Sequence, residues 1–123
     1  MATGTHKAFK RQVVEGERFN VKGGTGTCSS NAVTINAPAG AITTESLTTA
    51  AGSAQAITLT NSYVTTGDLI FVTRNGGTST TGTLELNATA GSGSATITLT
   101  NRHASAAFNG TFILVYRVVR TFT

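Results

Sequence analysis

The side chains in this 123-residue chain that could shuttle a proton, attack a carbonyl or hold a metal are few and widely separated. His6 and His103 lie far apart in sequence, and neither stands in an HxH, HExxH or CxxC spacing that would set two ligands on one face. Cys28 is the only cysteine, so no intrachain disulfide can form, and without a nearby base an inert thiol is expected. The run KGGTGTCSS at 22–30 has the glycines of a phosphate loop. It lacks the closing Lys-Ser/Thr pair, and no helix pattern follows whose N-terminus could face an anion. Glu45, Asp68 and Glu85 are the only carboxylates beyond residue 22, too dispersed for a calcium cage. Asn87-Ala88-Thr89 and Asn109-Gly110-Thr111 match the glycosylation sequon, as sequence so rich in Thr does by chance. No catalytic residue, metal or cofactor is expected, and the chain reads as a non-enzymatic protein.

The elements that carry these residues are strands. Thr fills 25 positions and charged residues only 11% of the chain, with 14 Gly and one Pro. β-branched residues at that density, with few strong helix formers, favour short strands and turns. AVTINA at 32–37 alternates Val33 and Ile35 with Thr34 and Asn36, and AITTESLTTA at 41–50 reads as a strand with a kink or bulge. A repeated unit follows: AGSAQAITLTNSYVTTGDLIFVTR at 51–74 is echoed by AGSGSATITLTNRHASAAFNGTFILVYR at 90–117. Each ITLTN alternates apolar Ile and Leu with Thr, the mark of a half-buried strand. TLELNATA at 83–90 does the same, and Asn75-Gly76-Gly77 is a turn signal. The result is a small antiparallel β-sandwich or jelly roll of about seven short strands, because two copies are too few for a propeller or solenoid.

Each unit returns on a strand whose apolar residues are consecutive, Leu69 to Val72 and Phe112 to Val115, the second continuing through Tyr116, Val118 and Val119. Such a strand needs both faces covered. A second sheet with the amino-terminal segment could cover FILVYRVV from within, and a neighbouring subunit could do so from outside. Arg117 and Arg120, three apart, fall on opposite faces of a regular strand, which places at least one at an interface or loop.

The charge is uneven. Residues 1–22 carry Lys7, Lys10, Arg11, Arg18 and Lys22 against Glu15 and Glu17, whereas the rest is close to neutral. Three zones result: a basic N-terminal arm at 1–22, in which RQVVEGERFNV could add one strand; a Gly/Ser/Thr-rich flexible linker at 23–31; and a β-sandwich domain at 32–123. No aromatic interleaving supports a nucleic-acid partner, and no apolar run is long enough for a signal-peptide core or a membrane span. Folding in a reducing cytoplasm is the expectation.

SLTTAAG, the paired ITLTN strands and NRHASAAFNGT, within residues 32–119, resemble a β-rich domain of tailed-bacteriophage structural proteins, above all small capsid decoration (cement) proteins. The resemblance implies a virion protein on the capsid surface, assembled in the host bacterial cytoplasm, that oligomerises and cements adjacent major capsid proteins. Its partners would be the major capsid protein and further copies of itself, a homotrimer ahead of a dimer, with no nucleic acid and no membrane. The contact residues expected are Lys7, Lys10, Arg11, Arg18, Phe19 and Lys22 of the arm, with Tyr116, Arg117, Val118 and Arg120 of the last strand. The alternative is a phage tail or fibre subunit, or a glycan-binding module using the loops at 61–67 and 101–110, whose only aromatics are Tyr63 and Phe108.

Overall fold

The computed structural model describes residues 23–120. The expectations placed on the arm at 1–22, including its strand, lie outside the described residues. The rest forms eight strands, β1 (Gly23–Thr27), β2 (Ala32–Thr34), β3 (Ala39–Thr43), β4 (Ala54–Thr60), β5 (Leu69–Gly76), β6 (Leu84–Gly91), β7 (Ser94–Asn101) and β8 (Ile113–Val119). They build two four-stranded sheets, β1-β3-β8-β5 and β2-β4-β7-β6, packed as a small β-sandwich. The core between them is Val33, Ile35, Ile42, Ile57, Leu59, Ile97, Leu99, Phe112, Leu114 and Tyr116, drawn from both inner faces.

The first four strands alternate between the sheets, so β1 pairs with β3 and β2 with β4 in parallel. A parallel pair needs a crossover, and here each crossover includes a strand of the other layer. Each sheet is therefore mixed rather than wholly antiparallel. The strand added to the expected seven is β1, in the segment expected to be a flexible linker. The physical reason is spacing between the layers. Gly24 and Gly26 face inward, and a Cβ on either would lie 2.8 Å from Ile35 Cγ2 or 2.6 Å from Val33 Cγ2. Bare backbone lets the sheet edge close onto β2, a use of glycine that composition alone reads as flexibility. After β1, Ser30 and Asn31 take left-handed conformations (φ 52° and 59°), with their N–H groups donated to the two carboxylate oxygens of Glu45 at 2.9 and 2.8 Å.

The repeated units pair with each other in both sheets. β4 pairs antiparallel with β7 in one sheet and β5 with β8 in the other, with Ile57 opposite Ile97 and Val72 opposite Tyr116. All four of these side chains face the core. The closing Asn of each ITLTN is completely buried. Asn61 Oδ1 accepts the N–H of Tyr63, and its Nδ2 donates to Ala37 O at 2.8 Å and Tyr116 Oη at 3.3 Å. Asn101 Oδ1 accepts the N–H groups of Thr83 and His103, and its Nδ2 donates to Thr49 O and Ala106 O. One asparagine thus closes each end of the sandwich.

Candidate contact surface

The two outer faces of the sandwich differ in chemistry. On the β2-β4-β7-β6 side, the outward residues of β4 and β7 are mainly Thr58, Thr60, Thr96, Thr98 and Thr100, joined on β6 by Glu85, Asn87 and Thr89. Hydroxyls there meet water, and the alternation expected for both ITLTN strands holds.

The other sheet presents apolar side chains to solvent. Leu69, Phe71 and Val115 are 46%, 58% and 37% exposed, with half-buried Ile113 and Val119 beside them. The register explains the grouping: Phe71 stands opposite Arg117, Leu69 opposite Val119 and Thr73 opposite Val115. Toward the far edge the same face is low, made by Ala39, Ala41, Gly23 and Thr25, so the patch rises from a shelf of small residues. The consecutive apolar runs of β5 and β8 therefore have one face in the core, through Ile70, Val72, Leu114, Tyr116 and Val118, and one face open among the described residues. Monomeric proteins seldom leave clustered large apolar side chains uncovered.

The residues expected to make contacts are divided by this geometry. Arg117 is exposed in the middle of the apolar face. Tyr116 is corrected: at 1% exposure it is a core residue, its hydroxyl donating to Ala37 O at 2.9 Å, and no partner can reach it. Burial also raises its phenol above the usual range. Val118 is half-buried and packs against the core. Arg120 grips Asp68 with two nitrogens, Nε to Oδ1 at 3.0 Å and Nη2 to Oδ2 at 3.1 Å, and also donates to Tyr63 O. The guanidinium, then the Thr65 N–H, hold the Asp68 carboxyl below its ordinary value. Arg120 is thereby committed to the 61–68 loop. Lys7, Lys10, Arg11, Arg18, Phe19 and Lys22 lie outside the described residues. Sequence reasoning missed Leu69, Phe71 and Val115 as surface, since alternation is invisible within an unbroken apolar run.

Hollows lie elsewhere among the described residues. One of about 510 Å³, beside Glu45, Leu47 and Gln55, is mainly polar, and Glu45 is already occupied by the Ser30 and Asn31 amides. Another, about 540 Å³, runs between β1 and β2 past Tyr63. Among the described residues, no three of His, Cys, Asp and Glu gather to hold a metal ion. Cys28 is buried, and that burial, then the charge of Glu45, pushes its thiol up to about 11, where it stays protonated at neutral pH. His103 Nδ1 accepts the N–H groups of Ser105 and Ala106 at 3.0 and 2.9 Å, which organises its loop. Of the two loop aromatics, Tyr63 is 52% exposed while Phe108 is buried edge-on against Phe112, with ring centroids 4.8 Å apart. No family model matches this chain, and neither a curated protein nor a solved structure matches it.

Proposed function

We propose that this protein is a structural component of a tailed-bacteriophage virion, decorating the capsid exterior and cementing adjacent major capsid proteins as a homo-oligomer. The observation that carries the reading is the apolar outer face of β5 and β8, Leu69, Phe71 and Val115 around Arg117, on a sandwich whose opposite face is lined with hydroxyls. A face of that kind suits protein contact, with an apolar centre and a cation that can pair once water is excluded.

The sequence resemblance supplies the setting, and the charge distribution supports it. The basic residues concentrated in 1–22 suit an acidic partner surface, and that segment joins the sandwich at Gly23, in the same sheet as the apolar face. Several copies held together make weak attachments cumulative. A homotrimer is favoured over a dimer on the resemblance. The glycan-binding alternative loses one of its two loop aromatics, since Phe108 is inside the core.

Capsids of the parent phage stripped of this protein provide the test. Full-length protein is expected to co-sediment with them, and a variant lacking residues 1–22 is expected to stay in the supernatant while keeping its β-sheet circular dichroism. Equal attachment of the truncated protein would remove the arm from the contact, and failure of the full-length protein to attach would remove the capsid reading.

A further inference from the structure

We infer that the apolar outer face of β5 and β8 is the seat for residues 13–21 of a second copy of this chain, so that subunits are joined by exchanged arms. The inference rests on the homo-oligomer reading above and adds the occupant of the face.

The first support is the match between the segment and the face. VVEGERFNV at 13–21 places Val13, Glu15, Glu17, Phe19 and Val21 on alternate positions, with Val14, Gly16, Arg18 and Asn20 between them. Laid down as an extended strand, the segment turns its first set to one side. That side carries three apolar residues and both acids of the first 22 positions. The face it would meet carries Leu69, Phe71, Val115 and Val119 around the cation Arg117. Apolar groups meet apolar groups, and Glu15 or Glu17 meets the arginine, while Arg18 remains in water.

The second support is where the remaining chain starts. Gly23, Ala39, Arg117 and Phe71 form one row across the sheet. β1 runs parallel to β3, which is antiparallel to β8, itself antiparallel to β5, so β1 and β5 begin at the same end. The segment before β1 is therefore joined to the sheet at that end, at Gly23. To reach its own Phe71 it would have to turn across three strand spacings, roughly 14 Å, which uses about four extended residues. After such a crossing, Glu17 or Glu15 would meet Arg117 only if the segment bent a second time, back along β8. An arm from a neighbour has no such constraint and can lie along β8 and β5 for its whole length, as an extended segment that binds through alternate side chains does.

Two single-cysteine variants test this, both made with Cys28→Ala: Phe19→Cys in one and Phe71→Cys in the other. Phe71 is exposed, so its replacement leaves the core unchanged. When the two full-length proteins are mixed and oxidised, a disulfide-linked pair of different chains is expected. Thr96→Cys, on the hydroxyl face, is expected to give less than one-tenth of that yield with the same partner. Equal yields from both positions, or no heterologous pair, would overturn the proposal. So would a protein carrying both cysteines that closes only within its own chain. Light scattering on the same samples separates assembly from the seating of the arm. A monomer would take down the homo-oligomer reading, whereas an oligomer without the Phe19–Phe71 bridge would take down only the arm's seat.

Discussion

Asn61 and Asn101 hold equivalent places at the ends of the two ITLTN segments, yet they are not equally replaceable. Asn101 satisfies four backbone groups, the N–H of Thr83 and His103 and the carbonyls of Thr49 and Ala106. Asn61 serves fewer, and Ala37 O keeps a second donor in the Tyr116 hydroxyl. Stranding a buried polar group costs about 1–3 kcal/mol. Asn101→Ala is therefore expected to lower the unfolding free energy by about 3 kcal/mol and Asn61→Ala by about 2 kcal/mol, read from urea denaturation. The two sites lie at opposite ends of the β4–β7 ladder, roughly 27 Å apart at the rise of a strand, so the double variant is expected to be additive within about 0.5 kcal/mol. Equal losses, or a double variant no worse than Asn101→Ala, would contradict the assignment.

Among the elements, β1 shows what a glycine can mean. Its outward Thr25 and inward Gly26 are neighbours, but a side chain at 26 would meet Val33 Cγ2 at 2.6 Å and Ile35 within 3.3 Å. Gly26→Val is expected to cost about 1–3 kcal/mol through overpacking, and Thr25→Val to stay within about 0.5 kcal/mol of the parent, both from chemical denaturation midpoints. Similar midpoints would mean that β1 does not pack as a strand. The strands that alternate, β4, β6 and β7, were legible in the sequence because period-two patterning marks one buried face. β1 was not, because its packing depends on absent side chains. The faces of β5 and β8 were not legible either. Aligning GDLIFVTR with GTFILVYR by their closing arginines equates Val72 with Val115, whereas Val72 faces the core opposite Tyr116 and Val115 faces solvent. A one-residue slip exchanges the faces of a strand, and an unbroken apolar run gives no sign of it. Arg74 confirms the difference: it bonds Ser79 O and lies 4.7 Å over the Phe112 ring, while Arg117 stands on the open face.

For the whole molecule, one sheet ends in hydroxyls and the other in Leu69, Phe71 and Val115, and β1, the strand that follows residues 1–22 in the chain, belongs to the sheet that bears the apolar patch. On the proposed reading, that asymmetry gives the sandwich one side for contact with other subunits. The repeat belongs to the scaffold, since its ITLTN strands fill the core with Ile57, Leu59, Ile97 and Leu99 and their asparagines close its ends. The proposed contacts fall on the outer face of the β1-β3-β8-β5 sheet and on the segment before β1.

Light scattering of the full-length protein, beside Phe71→Glu, decides whether the apolar face holds subunits together. The parent protein is expected at three times the 12.6 kDa of one chain, and Phe71→Glu at a single chain with unchanged circular dichroism. A monomeric parent protein, or an assembly that Phe71→Glu leaves intact, would contradict that role of the face.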